Sequence, residues 1–275
     1  MILVNGEQQN TIAVTDRGLH YGDGLFETIE IIQGQPVFLT EHLARLKAGC
    51  HTLKIPYPPT ALLLEEIAQV SKNCTHGALK LMLTRGTGGR GYRQPELVQA
   101  TRFIALHPYP EYPESYATQG VDVRFCTTRL GLSDVLAGLK HNNRLEQVLA
   151  RAEWQDEYQE GLMLNLHEQV IEGTMTNLFV VKDGVLYTPK LGLSGIVGII
   201  RQIVLSLALQ QKIPVQEFEL SRGFVMAADE LFLTNSLIGI WPIKTLEKKV
   251  YSVGAVTQLV QQAFTAYKAS TMQKC

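Results

Sequence analysis

The stretch AGLKHNNRLEQVLARAE (137–153) contains the boundary between an irregular segment and a helix, and Lys140 lies at that boundary. A glycine and two asparagines beside the lysine disfavour regular structure. Leu145, Val148 and Leu149 then recur at helical spacing and predict a helix. A lysine in such a place can act as a Schiff-base amine, provided that it is buried and partly neutral. The spacing equally allows a solvated surface lysine, and both interpretations stay open at this point.

Composition and charge are those of a globular protein with a sizeable core. The chain has 275 residues, of which 45% are hydrophobic and 19% charged, and its net charge is −1. Because there is no basic surplus to contact phosphates, nucleic acid is not expected as a partner. The start MILVNGEQQN lacks a positive segment, and no stretch approaches the roughly 18 apolar residues of a membrane span. We therefore expect a cytoplasmic protein without a membrane partner.

The cysteines give no sign of a metal site or a disulfide framework. Cys50, Cys74, Cys126 and Cys275 are far apart in the sequence and form no Cys-x-x-Cys pair. Reduced thiols fit the expected location. No metal site is predicted.

Strand-like and helix-like segments are mixed along the chain. Leu25–Ile32 has the pattern of a strand, and Glu41–Leu53 has the pattern of a helix that Thr40 is placed to cap. The segment HPYPEYPES (107–115) has three prolines in nine residues and predicts an interdomain linker, because proline cannot donate in a sheet. We therefore predict an α+β fold with two lobes. The predicted boundaries are an N-terminal α/β domain at 1–106, a linker at 107–120 and a C-terminal domain at 121–275.

The segment RGTGGRGYR (85–93) contains a Gly-x-Gly-x-x-Gly spacing after a predicted strand. No convincing helix follows to present its N-terminus to a pyrophosphate, and the Gly-Lys-Ser/Thr ending of a P-loop is absent. Both nucleotide-binding interpretations are therefore rejected. What remains is a loop whose Arg85, Arg90 and Arg93 could bind an anionic substrate. A solvated connection between strands is the plainer interpretation.

Four further features each allow a functional and a plain interpretation. Glu172 ends a short strand, where its carboxylate could pair with a positively charged ring nitrogen. Gly198 opens a helix whose first amides could bind a phosphate. Ser236, in a polar turn, and Arg45, on a predicted helix, could bind the same phosphate. The plain interpretations are a strand-end acid, a helix start, an ordinary turn and a solvated arginine.

In their order along the chain, these features resemble the fold-type IV pyridoxal-phosphate (PLP) enzymes. That family contains branched-chain aminotransferases, D-amino acid aminotransferases and 4-amino-4-deoxychorismate lyases. The similarity covers nearly the whole chain, from DRGLHYGDGLFET (16–28) to NSLIGIWPI (235–243), and RGTGGRGY (85–92) and GLKHNNRLEQVLAR (138–151) resemble the lyase branch most. The resemblance implies a smaller N-terminal α/β lobe and a larger C-terminal, PLP-binding lobe with a β-barrel-like core.

The resemblance also implies roles toward the cofactor. Lys140 would hold PLP as an internal aldimine, and Glu172 would keep the pyridine nitrogen protonated so that the ring acts as an electron sink. The groups implied for the cofactor phosphate are Arg45, the amides of Ile199 and Ile200, and Ser236.

The activity that the resemblance implies is a lyase reaction of folate biosynthesis. 4-Amino-4-deoxychorismate would be converted to 4-aminobenzoate and pyruvate, with Lys140 as nucleophile and as the base that removes the C4 proton before the enolpyruvyl group is eliminated. Arg85, Arg90 or Arg93 could bind the two substrate carboxylates, and Thr28 is a candidate for the pocket wall. A homodimer is also implied.

Two other functions stay open on the sequence. A D-amino acid or branched-chain aminotransferase would share the fold and the cofactor. Leu145 stands where the branched-chain enzymes carry a tyrosine near the phenolic oxygen of the cofactor. This difference counts against that branch and leaves the partner of the oxygen unassigned. The third candidate is a binding or regulatory protein that kept the fold without turnover.

Overall fold

The computed structural model describes residues 1–273, and the chain in it divides into two compact units. The first unit contains 1–111, 139–143 and 271–273, and the second contains 112–138 and 144–270. The division after residue 111 lies within the segment that was predicted as a linker. One segment differs from the predicted boundaries, because 139–143, with Lys140, belongs to the first unit although the chain on both sides of it belongs to the second.

The first unit is built on one antiparallel sheet. Its strands are β1 (Ile2–Val4), β2 (Glu7–Gln8), β3 (Gly24–Ile32), β4 (Gln35–Pro36), β5 (His76–Thr84) and β6 (Thr101–Pro108). Its helices are α1 (Arg17–Tyr21), α2 (Leu39–Leu53) and α3 (Thr60–Ser71). The six strands follow the order β2-β1-β6-β5-β3-β4. The apolar sides of α2 and α3 pack with one face of this sheet to form the core.

Strands β3 and β5 pair along their full lengths, and this register decides which of their side chains share a face. Leu25, Ile29 and Ile31 enter the core with α2. Successive side chains of a strand alternate, so Phe26 and Thr28 lie on the other face. Thr28 is paired with Lys80, which puts Lys80 on that same face.

Helix α2 begins at Leu39, before the predicted start. Phe38, with a φ of 54°, occupies the N-cap position and provides no side-chain hydrogen bond. The prediction that Thr40 caps this helix is wrong, because Thr40 lies in the first turn.

The second unit is built on ten strands. They are β7 (Val121–Leu130), β8 (Glu160–Asn165), β9 (Gln169–Gly173), β10 (Asn177–Lys182), β11 (Val185–Pro189), β12 (Val215–Phe218), β13 (Leu220–Ser221), β14 (Glu230–Asn235), β15 (Gly239–Leu246) and β16 (Lys249–Val250). The helices that follow in the chain are α4 (Ser115–Thr118), α5 (Leu145–Arg151), α6 (Ile199–Gln210), α7 (Arg222–Met226) and α8 (Ala255–Met272).

Six of these strands close into a ring. β10 pairs with β14, β14 with β15, β15 with β7, β7 with β8 and β8 with β9. The ring closes where Glu172 of β9 pairs with Asn177 of β10. Apolar side chains of the ring, such as Leu162, Val180 and Leu233, form a buried cluster. The closed ring confirms the predicted α+β fold with a barrel-like core.

Residues 1–273 contain neither a candidate membrane span nor a cluster of metal-binding side chains. In that range no helix has the length and apolar character needed to cross a membrane. No three His, Cys, Asp or Glu side chains of these residues come together as a metal site. Cys50, Cys74 and Cys126 are free thiols, and Cys275 lies outside the described residues.

Candidate active site

The segment 139–143 is hydrogen-bonded to the start of β3, and these bonds fix the backbone of Lys140. The amide of Phe26 donates to the carbonyl of Lys140 (3.0 Å), and the amide of Asn142 donates to the carbonyl of Gly24 (3.0 Å). This edge of β3 is open to the segment because β4 pairs only with the far end of the strand. Lys140 is therefore held against a core strand, although its own sequence neighbourhood reads as irregular.

The close approach of the two segments requires glycine at position 24. A Cβ atom there would lie 2.6 Å from Nδ2 of Asn142 and 2.6 Å from the carbonyl oxygen of Leu83. Any side chain would therefore separate the lysine segment from β3.

The amine groups of two lysines lie on the ring of Phe26. Nζ of Lys140 is 4.5 Å from the ring centroid and Nζ of Lys80 is 3.5 Å from it. Burial lowers the pKa of Lys80 to about 8, although the negative charge of Glu27 acts in the opposite direction. Among the described residues Lys80 forms no hydrogen bond or ion pair, so its charge is available to a ligand.

A buried carboxylate lies on the core face of β3. Glu27 accepts hydrogen bonds from Nε of Arg45 (2.8 Å), from Nη2 of the same arginine, and from Nδ1 of His42 (2.6 Å). Burial raises the pKa of Glu27, but the hydrogen bonds and charges of Arg45 and His42 outweigh burial and lower it to about 2. Glu27 is therefore ionised inside the core, and loss of one partner would leave an uncompensated buried charge.

His42 completes this cluster as a neutral ring. Burial lowers the pKa of His42; Glu27 raises it, and the charges of Arg45 and Lys140 lower it further. A neutral ring that faces an ionised carboxylate through Nδ1 must carry its proton there, which leaves Nε2 as an acceptor. Nε2 is buried and has no hydrogen-bond partner among the described residues. An unsatisfied buried acceptor of this kind costs about 1–3 kcal/mol.

In the second unit, Glu172 is fixed where the barrel closes. It is buried, and its Oε2 accepts a hydrogen bond from the amide of Ile196 (2.8 Å) and a longer one from Nδ2 of Asn177 (3.5 Å). Asn177 also donates to the carbonyl of Ile196 (2.9 Å). These contacts tie the carboxylate to the loop that leads into α6.

Asn177 also lies beside the start of α6. A Cβ atom at Gly198, the N-cap residue, would be 2.0 Å from Oδ1 of Asn177, so the helix can begin there only with glycine. No side chain caps α6, and the amides of Ile199 and Ile200 need an acceptor from elsewhere. A helix N-terminus in this state attracts an anion such as phosphate.

The turn that contains Ser236 follows the strand next to Asn177. Thr234 of β14 pairs with Asn177, and its buried hydroxyl has no hydrogen-bond partner among the described residues. Oδ1 of Asn235 accepts the amides of Leu237 and Ile238, each at 2.9 Å, which fixes the turn around Ser236. The second unit thus places the Glu172 carboxylate, the start of α6 and Thr234 next to Asn177.

Comparison with known proteins identifies the family. The sequence profile of amino-transferase class IV matches residues 24–246, more than half of the chain. The chain belongs to the amino-transferase class IV family. Members of this class use PLP, so the protein is a PLP-dependent enzyme.

Class IV proteins of two activities resemble the chain over nearly its full length. Aminodeoxychorismate lyase of Vibrio harveyi is 36% identical over 266 residues, 95% of this chain and 98% of that protein. The crystal structure of 4-amino-4-deoxychorismate lyase from Pseudomonas aeruginosa has a TM-score of 0.93 at 44% identity, covering 97% of this chain and 98% of that one. The branched-chain-amino-acid aminotransferase of Salmonella typhimurium is 30% identical over 281 residues, 96% of this chain and 91% of that protein. These similarities confirm the predicted family and fold type.

The class IV cofactor fits the residues present in each unit. In the first unit the amine of Lys140 lies on an aromatic ring, and the ion pair with Glu27 holds the positively charged Arg45 by its Nε–Nη2 edge. In the second unit the uncapped start of α6 and the unpartnered hydroxyl of Thr234 suit a ligand that carries a phosphate. Glu172 has a carboxylate fixed in position, as pairing with a protonated ring nitrogen requires.

Arg85 is engaged in structural contacts in this fold, and its role toward substrate carboxylates stays a prediction that these contacts disfavour. It is 3% exposed and binds both oxygens of Asp23 as well as the carbonyls of Lys54 and Leu53. The following Gly86 has a φ of 82°, and a Cβ there would lie 1.9 Å from the carbonyl oxygen of Gln99. The first part of RGTGGRGY therefore stabilises the first unit, because four of the five donors of Arg85 are already used.

The other substrate candidates lie in different surroundings. Arg90 is exposed, and Arg93, with a side chain 86% exposed, forms a surface pair with Glu96 (3.5 Å). Thr28 lies opposite Lys80 on the face of the sheet that also carries Phe26. A role for Arg90, Arg93 or Thr28 toward substrate stays a prediction.

Four residues of the site were not recognised in the sequence: Glu27, His42, Lys80 and Asn177. Lys80 alternates with core leucines in ALKLMLT (78–84), so a charge on the far face of that strand could have been noticed. Glu27 breaks the apolar alternation of β3, which is a signal for a buried polar cluster. His42 and Asn177 carry no local signal, because their importance comes from partners distant in the sequence.

Proposed function

We propose that the protein is a PLP-dependent lyase that converts 4-amino-4-deoxychorismate to 4-aminobenzoate and pyruvate. The observation that carries the proposal is the whole-chain similarity to two proteins named as this lyase, at 36% and 44% identity, against 30% for the aminotransferase of Salmonella typhimurium. Leu145 in place of a tyrosine counts against the branched-chain aminotransferases, although not against the D-amino acid enzymes. The geometry adds a free cation beside the amine of Lys140, which suits a substrate with two carboxylates.

The proposal assigns each part of the cofactor a binding group in the chain. Lys140 binds PLP covalently, and Glu172 pairs with its ring nitrogen. The groups that bind the phosphate are Arg45, the amides of Ile199 and Ile200, and Ser236. When bound, PLP supplies an electron sink for the charge left on C4 of the substrate.

Lys140 moves the proton in the proposed reaction. Its Nζ removes the proton from C4, and the bond between C3 and the enolpyruvyl oxygen breaks as the ring becomes aromatic. Lys140 then gives the proton to the methylene carbon of the departing group, so that this group leaves as pyruvate. The ring of Phe26 covers part of the surroundings of Nζ and reduces its contact with water.

The reaction is tested by supplying 4-amino-4-deoxychorismate to the purified holoenzyme. We expect 4-aminobenzoate and pyruvate in equal amounts. The aminotransferase alternative is tested in parallel with D-alanine or leucine as amino donor. If the donor alone bleached the cofactor absorption stoichiometrically and 2-oxoglutarate restored it, the aminotransferase assignment would replace the lyase.

Lys80 is the cation best placed to bind a substrate carboxylate. The variant Lys80→Met is expected to raise KM about 10- to 100-fold with a smaller change in kcat, since the contact is made in both the ground state and the transition state. Steady-state kinetics measure both constants. The exposed Lys244→Met is the matched control, and an unchanged KM in Lys80→Met would remove Lys80 from the substrate site.

The charge of Lys80 also predicts the pH dependence. Its pKa of about 8 means that the amine is charged below this value and neutral above it. We therefore expect kcat/KM, which reports on the free enzyme, to fall as pH rises through about 8. In Lys80→Arg this decline should disappear, because arginine stays charged. A decline that persists unchanged in the arginine variant would assign it to another group.

The exposed side of α5 supports the expected homodimer. Leu145, Val148 and Leu149 are 75%, 61% and 61% exposed, and their helical spacing puts them on one side of the helix. We expect light scattering to give the mass of two chains, and Val148→Asp with Leu149→Asp to give the mass of one. The control is Leu209→Asp, which changes an equally exposed leucine on α6. A wild-type mass of one chain would contradict the homodimer.

A further inference from the structure

The cluster of Glu27, His42 and Arg45 has one member that reaches the surface. The side chains of Glu27 and His42 are each 1% exposed, whereas that of Arg45 is 15% exposed. A ligand can therefore contact this cluster only through the guanidinium of Arg45. The two buried members have no access to substrate or cofactor of their own.

The hydrogen bonds give Arg45 a single orientation. Both oxygens of Glu27 are used, one on Nε and one on Nη2, in a fork-to-fork arrangement. His42 donates to the oxygen that also binds Nη2, which fixes the rotation of the carboxylate. Glu27 therefore holds the guanidinium by its Nε–Nη2 edge, which limits rotation of the arginine side chain.

We propose that Glu27 and His42 are positioning residues, which hold the guanidinium of Arg45 in the orientation that binds the cofactor phosphate. This inference rests on the proposed role of Arg45 as a phosphate ligand. The carboxylate offsets the charge of the arginine, so the gain for the phosphate lies in orientation and not in added attraction. An apolar residue at position 27 would pack in the same core, but it would leave a flexible arginine at the phosphate.

The proposal is tested with two aldehydes that differ only in the phosphate. Apoenzyme of the wild type and of Glu27→Gln is titrated with PLP and with pyridoxal, and the absorption of the lysine-linked aldehyde gives each dissociation constant. We expect Glu27→Gln to weaken PLP binding about 10- to 100-fold, the size usual for a partner one step removed from the ligand. Pyridoxal binding should change less than about twofold, because the lysine is unaffected.

Two results would overturn the proposal. One is an equal loss of affinity for PLP and for pyridoxal in Glu27→Gln, which indicates general damage to the site. The other is an unchanged affinity for both. If the wild type itself binds PLP no more tightly than pyridoxal, the role of Arg45 in the proposed function fails instead. The two failures are therefore distinguishable. A second check uses Arg45→Gln, in which adding Glu27→Gln should cause no further loss of PLP affinity.

A pair of variants at His42 gives an independent test if Glu27→Gln does not fold. The amide nitrogen of asparagine takes nearly the place of Nδ1 of histidine and can still donate to Glu27, whereas leucine cannot. We expect His42→Leu to weaken PLP binding selectively over pyridoxal and His42→Asn to restore most of the difference. The exposed His51→Asn on the same helix controls for the helix itself. Equal PLP affinities of the leucine and asparagine variants would contradict the role of His42.

Discussion

The variant Lys140→Ala is expected to lose the visible absorption of the bound cofactor and at least about 10⁴-fold of the lyase activity. In the proposed reaction the amine of Lys140 has two tasks, since it would link the cofactor to the chain and would move the proton from C4 to the departing group. Its backbone is fixed by hydrogen bonds to β3, so alanine leaves the fold in place while removing both functions. Absorption spectra of the purified variant and the rate of 4-aminobenzoate formation measure the two losses separately.

The matched control for this variant is Lys248→Ala, which changes an exposed lysine in the turn between β15 and β16. It should keep the spectrum and the activity. A Lys140→Ala protein that stays coloured would assign the covalent link to another lysine. The protein would be identified as a binding protein by two results together: the wild type shows no turnover, and Lys140→Ala binds the ligand with the same affinity as the wild type.

The variant Glu172→Gln is expected to lower kcat about 10²- to 10³-fold. Glutamine is nearly the same size and can still accept the hydrogen bond from the amide of Ile196. What it loses is the negative charge that, in the proposed site, would keep the cofactor ring nitrogen protonated. Removing one preorganised electrostatic partner of a transition state costs about 2.7–4 kcal/mol. The effect should therefore appear in kcat, with little change in the amount of cofactor bound.

The matched control for Glu172→Gln is Glu168→Gln, which removes a carboxylate charge in the turn between β8 and β9. Glu168 is exposed and pairs with Arg129 at the surface, so its loss should leave kcat unchanged. An unchanged kcat in Glu172→Gln with cofactor bound would remove Glu172 from the ring nitrogen. Loss of the cofactor in this variant would instead give Glu172 a structural role at the closure of the barrel.

Several elements could be predicted closely because their signals are local. The helix over Ile199–Gln210 follows from apolar spacing after a glycine, and the strand over Asn177–Lys182 follows from its apolar run. The start of α2 was not predicted correctly. Its N-cap residue is Phe38 in a left-handed conformation, and phenylalanine is not a residue type that indicates an N-cap in a sequence. Arg85 was a reasonable substrate candidate in sequence, but its partners Asp23 and Lys54 lie far from it along the chain.

The sequence by itself determined the fold class and the family and proposed Lys140 as the cofactor lysine, because helical and strand periodicity and the order of polar motifs are properties of the chain alone. Only the tertiary structure decided what surrounds that lysine. It placed residues 139–143 beside β3, Lys80 on the ring of Phe26, and an ionised Glu27 under Arg45. These contacts join residues far apart in the chain through strand register and helix packing. A lysine at a loop-helix boundary therefore became a site candidate through partners that its own neighbourhood does not contain.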